Sequence, residues 1–187
     1  VVPSEGMRRL YESNYGTECV VMVFGSRPKK NNSDPIVRPE KGKLLVGFAG
    51  SIIADNVWDS FVSALAGEHW CIDGQKVVIR LHGAHLNLST TIPLQIEFRG
   101  WRSHSETIQS LSETDIAYLP YWFDDAHKEF VTLSFSSKLA AYMAAGIPVF
   151  FHGPRESSAS KFIEKYSCGV SCHSLDHNEI IDTLESF

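Results

Sequence analysis

The sequence predicts an α/β domain built on a doubly wound, mainly parallel sheet, and three observations carry that reading. Short apolar runs with no polar face recur along the chain, as strands buried on both sides of a covered sheet require. Between them lie stretches with helical apolar spacing, joined after residue 42 by short connections. The chain has 187 residues of 43% hydrophobic content, enough to bury one full core.

Ser4 is a good N-cap, and residues 4–15 read as a helix that Gly16 stops. Residues 19–23 read as a short apolar strand. The tract 25–42 then changes character. Pro28, Lys29, Lys30, Asn31, Asn32, Ser33, Asp34 and Pro35 make it polar and rich in breakers, which is the composition of a linker. The expected organisation is a terminal helix and strand over 1–24, a linker over 25–42 and the main domain over 43–187.

Within that domain, Leu44-Leu45-Val46-Gly47-Phe48-Ala49 is a continuous apolar strand. A helix over 55–65 follows, with Val57, Trp58, Phe61, Val62 and Leu65 on one stripe. Strands are expected over 77–81 and 94–98, a helix over 105–111 and a strand over 116–119. An aromatic, acidic loop over 121–130 leads to a helix over 136–145 and a strand over 147–151. A helix over 158–166, a strand over 170–172 and a last helix from residue 178 complete the pattern. No internal repeat is visible.

Charge and composition exclude several function classes. A net charge of −5 argues against a nucleic-acid binder, which presents a basic face. The longest apolar run, 147–151, is broken by Pro148 and falls far short of the about 20 residues a membrane span needs. Val1-Val2-Pro3 reads as the interior of a longer chain, with any targeting segment before it. Cys19, Cys71, Cys168 and Cys172 read as reduced apolar core residues of a cytosolic protein. Cys168, Cys172 and His173 lack a second ligand pair at zinc spacing, and His82 with His85 has no companions, so no metal is expected.

In a doubly wound sheet, ligands sit beyond the carboxyl ends of the strands where the strand order reverses. The loops to inspect are therefore those at Gly50-Ser51, His82-Gly83, Gly100-Trp101-Arg102 and Pro120-Tyr121, and the approach to Ser136. The most informative stretch runs Ser134-Phe135-Ser136-Ser137-Lys138-Leu139-Ala140-Ala141-Tyr142-Met143-Ala144-Ala145-Gly146-Ile147-Pro148-Val149. A hydroxyl-rich turn opens a helix of small residues whose first turn carries a lysine. Free N–H groups and the positive dipole end at a helix start make a phosphate site. From the residues alone, Ser136 capping a buried helix with Lys138 in solvent is an equal reading.

This stretch resembles the "P-S-K-L…Y-x-A-A-G-x-P-V" motif in the C-terminal domain of GT-B glycosyltransferases of the retaining family 4 type. Phe98-Arg99-Gly100-Trp101 and Thr114-Asp115-Ile116-Ala117-Tyr118-Leu119-Pro120 resemble that family's "F-x-G-x-v…a-D-i-x-l-x-P". Val46-Gly47-Phe48-Ala49-Gly50-Ser51 resembles its opening "i-G-f-x-G". Val2-Pro3-Ser4-Glu5-Gly6-Met7 with Tyr15-Gly16 is similar to the last helix of its N-terminal domain.

The resemblance implies a Rossmann-like nucleotide-sugar-binding domain, the C-terminal half of a GT-B fold. Trp101, Arg102 and Ser103 would line the nucleobase, and Gly50 and Ser51 would face the phosphates. Ser136, Ser137, Lys138 and Leu139 would hold the diphosphate, with Tyr121 at the site and Phe135 and Ser136 beside the donor sugar. The partners implied are a nucleotide-sugar donor and an acceptor-binding N-terminal domain, with a glycan or lipid-linked acceptor. Polysaccharide biosynthesis in the cytoplasm, with peripheral association at the inner face of the membrane, is the family-level expectation. No cofactor beyond the donor is expected, and the Asp-x-Asp motif of metal-dependent relatives in the other large glycosyltransferase fold is missing.

Departures from the family pattern are specific. Leu133 and Ala141 stand where many relatives carry two glutamates, Ser51 stands where they carry an arginine, and Asp55-Asn56 supplies no lysine. Lys138, the helix start, and Arg80 or Lys128 would then neutralise the departing diphosphate. The loop Phe123-Asp124-Asp125-Ala126-His127-Lys128-Glu129 offers a replacement acid, or is simply solvated. Two alternatives stay open: a nucleotide-sugar epimerase, for which the cleft has no convincing acid/base pair, and a non-catalytic interaction module. A receiver-type domain would need an acidic cluster within 47–51, which is not there.

Overall fold

The computed structural model describes residues 1–23, 25, 42–83 and 94–187. Nearly all of the expected linker, and His85, lie outside the described residues.

Helix α1 (Glu5–Tyr15) starts at Ser4, whose hydroxyl accepts from the Met7 N–H at 3.1 Å, and ends at Gly16 in the left-handed region. Residues 19–23 do not form the expected strand. A single parallel bridge, Val2 to Val21, is formed. Apolar residues there find no continuous ladder to join, and Val20 and Met22 remain exposed.

The sheet contains β1 (Lys43–Ala49), β2 (Cys71–Ile72), β3 (Gln75–His82), β4 (Ile96–Phe98), β5 (Ile116–Pro120), β6 (Val149–His152) and β7 (Gly169–Cys172). Among the described residues its order is β2-β3-β1-β5-β6-β7, with β4 beside β3 on the same edge as β2. The pairings are parallel except for β2 with β3. From β1 the chain winds outward one way through β3 and β4, then returns to β5 and winds the other way. The order therefore reverses between β1 and β5, and the doubly wound architecture is the one expected. Strand β2 was not anticipated. It returns into β3 through Asp73-Gly74, both at positive φ, a tight turn that Asp-Gly favours.

Six further helices are α2 (Asp55–Gly67), α3 (His104–Leu111), α4 (Lys128–Leu133), α5 (Ser137–Ala145), α6 (Ser158–Tyr166) and α7 (His177–Glu185). The expected loop over 121–130 instead contains a 3-10 turn and the start of α4. Asp124 begins it, its carboxylate accepting from the His127 N–H at 3.1 Å.

Each strand supplies side chains to two cores. Tyr118 and Phe150 point toward α2 and α7, where Tyr118 stacks on Phe61 with centroids 4.1 Å apart. Leu119 and Phe151 point the other way, toward Leu139, Tyr142 and Ile163 on α5 and α6. This period-two alternation, apolar on both faces, explains why the strands read as unbroken apolar runs. The cysteines need correcting. All four are free, but Cys172 alone among them is buried and Cys71 is exposed, because it sits on the edge hairpin. Among the described residues no helix is long and apolar enough to cross a membrane.

Candidate functional site

At the reversal point, β1 and β5 pair only through Val46 with Ile116 and Gly47 with Ala117. Beyond that the strands part, and a side chain from α5 fills the gap. The Tyr142 hydroxyl donates to the Tyr118 carbonyl at 3.0 Å and accepts from the Ala49 N–H at 3.3 Å. Both backbone groups are thereby satisfied although the strands no longer meet.

The carboxyl edge here opens into a crevice of about 500 Å³. Its floor is the close approach of two strand ends. The Gly50 N–H donates to the His82 carbonyl at 2.7 Å, and a Cβ on Gly83 would stand 2.6 Å from the Gly50 carbonyl oxygen. Gly50 itself has φ +97°, a conformation that favours glycine. Lys138 reaches across it, with Cε only 3.0 Å from where a Gly50 Cβ would be, and its Nζ lies 5.8 Å from the centroid of the Phe48 ring.

Lys138 is the electrostatic centre of the crevice. Burial holds its amine below the ordinary lysine range, and among the described residues no carboxylate is paired with it. It sits in the first turn of α5, whose N-cap Ser136 accepts from the Lys138 N–H at 3.3 Å through its hydroxyl. The Leu139 N–H is taken by the Ser136 carbonyl, so the cradle of amides expected from the sequence is partly used by the helix's own cap. The Ser137 N–H has no acceptor among the described residues. Beneath the cap, the buried Tyr121 hydroxyl meets Ser136, and burial pushes its pKa up to about 12.

The structure brings Gly50, Ser51, Trp101, Arg102, Ser137 and Lys138 together around the crevice. Trp101 is 77% exposed, an unusual position for an indole, and nothing among the described residues covers it. Ser103 stands behind them and caps α3 in a capping box, accepting from the Glu106 N–H while Glu106 accepts from the Ser103 N–H at 3.0 Å. Leu139 has its side chain in the core. Phe135 turns away, packing edge-to-face on Phe162 in a separate groove beside α1 and α6. Arg80 does not join the crevice either. It is held by Glu97 at 3.4 Å and Glu113 at 3.6 Å on the outer side of α3, and Lys128 is exposed at the start of α4.

Ala141, which stands where the family pattern carries an acid, does line the crevice, and none of the described residues lining it is a carboxylate. On a chain of net charge −5, an acid-free crevice holding Lys138, Arg102 and a helix start is suited to an anion. His82, whose loop the sequence places at the ligand-facing edge without giving the side chain a role, joins these residues. Its ring lines the same crevice, is 2% exposed, and has no hydrogen-bond partner on either nitrogen among the described residues. Burial foremost, and the charges of Arg102, Arg80 and Arg99, bring its pKa down to about 4. A sequence signal existed, since His82-Gly83 ends a strand beside the reversal point.

No protein-family model matches the chain, and no curated protein matches it in sequence. Solved structures do. An alpha,alpha-trehalose 6-phosphate synthase from Burkholderia multivorans superposes with a TM-score of 0.50 at 12% identity, over 77% of this chain and 34% of that one. An alpha,alpha-trehalose-phosphate synthase (UDP-forming) from Burkholderia vietnamiensis gives 0.49 at 13% identity, over 76% and 36%. The glycosyltransferase SnogD from Streptomyces nogalater gives 0.48 at 13% identity, over 98% and 47%. The chain thus spans between about a third and a half of the length of these structures. What the likeness establishes is architecture: this is a doubly wound α/β domain similar to the Rossmann-like domains of GT-B glycosyltransferases.

Proposed function

We propose that the crevice binds the diphosphate of a nucleotide sugar, and that the chain is the donor-binding half of a glycosyltransferase. The observation that carries this reading is Lys138, a desolvated ammonium without a carboxylate partner among the described residues, at the start of α5. Arg102 and the exposed Trp101 lie farther along the same crevice, where a nucleoside would extend. In such a reaction the protein needs no covalent chemistry of its own. Negative charge grows on the departing diphosphate, and fixed N–H donors and Lys138 stabilise it without reorganising. One oriented donor of that kind contributes about 2.7–4 kcal/mol of barrier lowering where it has been measured.

In this reading residues 43–187 form the donor domain, and 1–24 belong to an acceptor-binding domain that precedes it. That domain would present a glycan or lipid-linked acceptor, and closure of the two would assemble the site. Calorimetry with UDP-, GDP-, dTDP- and ADP-linked sugars and the free nucleotides tests it. One class should bind to this chain with a positively charged, salt-sensitive signature, and silence from all of them at millimolar concentration sinks the donor site. A second reading, a binding module without catalysis, is favoured by Ala141, which leaves the crevice without an acid. Sugar transfer by a longer protein containing this chain, lost on Lys138→Ala, decides against it.

A further inference from the structure

His82 is the buried polar side chain that the crevice leaves unanswered. The other histidine buried among the described residues, His152, has both nitrogens engaged, one with the Tyr118 hydroxyl at 3.0 Å and one with the Ser174 carbonyl at 2.6 Å. His82 has neither, and a buried ring with an unpaired donor and acceptor is costly to keep. Such a group in a crevice wall points to a ligand that supplies the missing partners.

Strand order says which part of the ligand that is. Gly50 and Lys138 mark the end of β1, His82 ends β3 beside it, and Trp101 follows β4 on the far side of β3. Neighbouring strands lie about 4.8 Å apart, so His82 is about one strand spacing from the phosphate end and Trp101 about two. In a nucleoside diphosphate the ribose comes one step after the phosphates and the base one step further. A neutral imidazole offers one donor and one acceptor, and each ribose hydroxyl can both donate and accept a hydrogen bond. Among the described residues lining the crevice, alanine stands at position 141 and no carboxylate is present to take those hydroxyls.

We infer that His82 is a specificity-determining residue that hydrogen-bonds the ribose hydroxyls of the bound nucleotide and so selects ribo- over deoxyribonucleotides. The inference rests on the donor-site reading above. Burial first, and then the charges of Arg102, Arg80 and Arg99, keep the ring uncharged near neutral pH, in the form that can both donate and accept.

The test is calorimetry on the whole chain and on His82→Phe and His82→Gln. UDP, GDP and ADP are each set against the 2′-deoxy counterpart, with inorganic pyrophosphate as the control. Whichever diphosphate binds should favour its ribo form about tenfold, from the net of one or two hydrogen bonds. His82→Phe should erase that preference and leave pyrophosphate binding unchanged, while melting no lower than the parent. His82→Gln, which still donates and accepts, should keep part of it. A preference that survives His82→Phe, or an equal loss for pyrophosphate, overturns the role of His82 while the donor site stands. Binding of dTDP alone likewise overturns the role of His82 while the donor site stands. If neither dTDP nor any of these diphosphates binds the parent chain, the donor-site reading has failed, and this inference with it.

Discussion

Replacing Lys138 by methionine separates its functional from its structural role. The ammonium lies in the crevice with no carboxylate beside it among the described residues, and its stem runs over Gly50 toward the Phe48 ring. Methionine retains most of that stem and removes the charge. Folding loses a cation–aromatic contact of about 0.5–1 kcal/mol but no longer has to desolvate an unpaired ammonium. The two effects oppose, so the midpoint of chemical unfolding should stay within the equivalent of about 1 kcal/mol or rise. Binding loses a charged hydrogen bond to phosphate, about 1.5–3 kcal/mol, which is roughly a 10- to 150-fold weaker Kd. Calorimetry with a nucleoside diphosphate and its parent nucleoside reads the difference. The diphosphate should weaken by that factor and lose salt dependence, and the nucleoside should not change. Diphosphate affinity within twofold of the parent would refute the placement of the phosphates. A loss of several kcal/mol in stability would instead make Lys138 a structural cation.

Three further outcomes follow from the same geometry. His152 is fully buried with its pKa lowered to about 4, so between about pH 6.5 and 4 the unfolded chain takes up the proton first. The share of His152 should be fully present above that window and be lost through it by about 3 kcal/mol, at about 1.4 kcal/mol per unit, and His152→Gln should remove that share from the urea-midpoint profile while the share of His82 remains. Gly83→Ala puts a methyl 2.6 Å from the Gly50 carbonyl oxygen, and should weaken nucleotide binding by at least about tenfold as the crevice floor is forced apart, read by calorimetry. Ser157, wholly buried, accepts from the Ser160 N–H at 2.9 Å at the start of α6, so Ser157→Ala should cost about 1–2 kcal/mol in urea unfolding.

The architecture was legible because its strands are buried on both faces and its helices carry ordinary caps. Residues 44–49 could hardly be anything but a central strand, and Ser4, Ser136 and Gly146 mark helix ends where they stand in the folded chain. Local signals failed where they were short or competed with tertiary packing. Asp73-Gly74 announced a hairpin that a two-residue strand made easy to miss, and Asp124 capped a turn in a stretch that looked like solvated loop. At the candidate site, proximity in sequence misled. Phe135 adjoins Ser136 yet turns into another groove, and Arg80 lies on a crevice-forming strand yet faces out to Glu97 and Glu113. His82 could be flagged as lying on a strand end, but its want of partners is a property of the assembled packing alone.

Tyr142 acts as a spacer in the frame of the molecule. The helix that offers its first turn to the crevice also holds, through one phenol oxygen, the distance between the two strands that bound it. Any shift of α5 along its axis must either break those contacts or drag the strand ends along, so the width of the opening and the position of Lys138 behave as one mechanical variable. A guest that tugged on the lysine would be felt in the middle of the sheet.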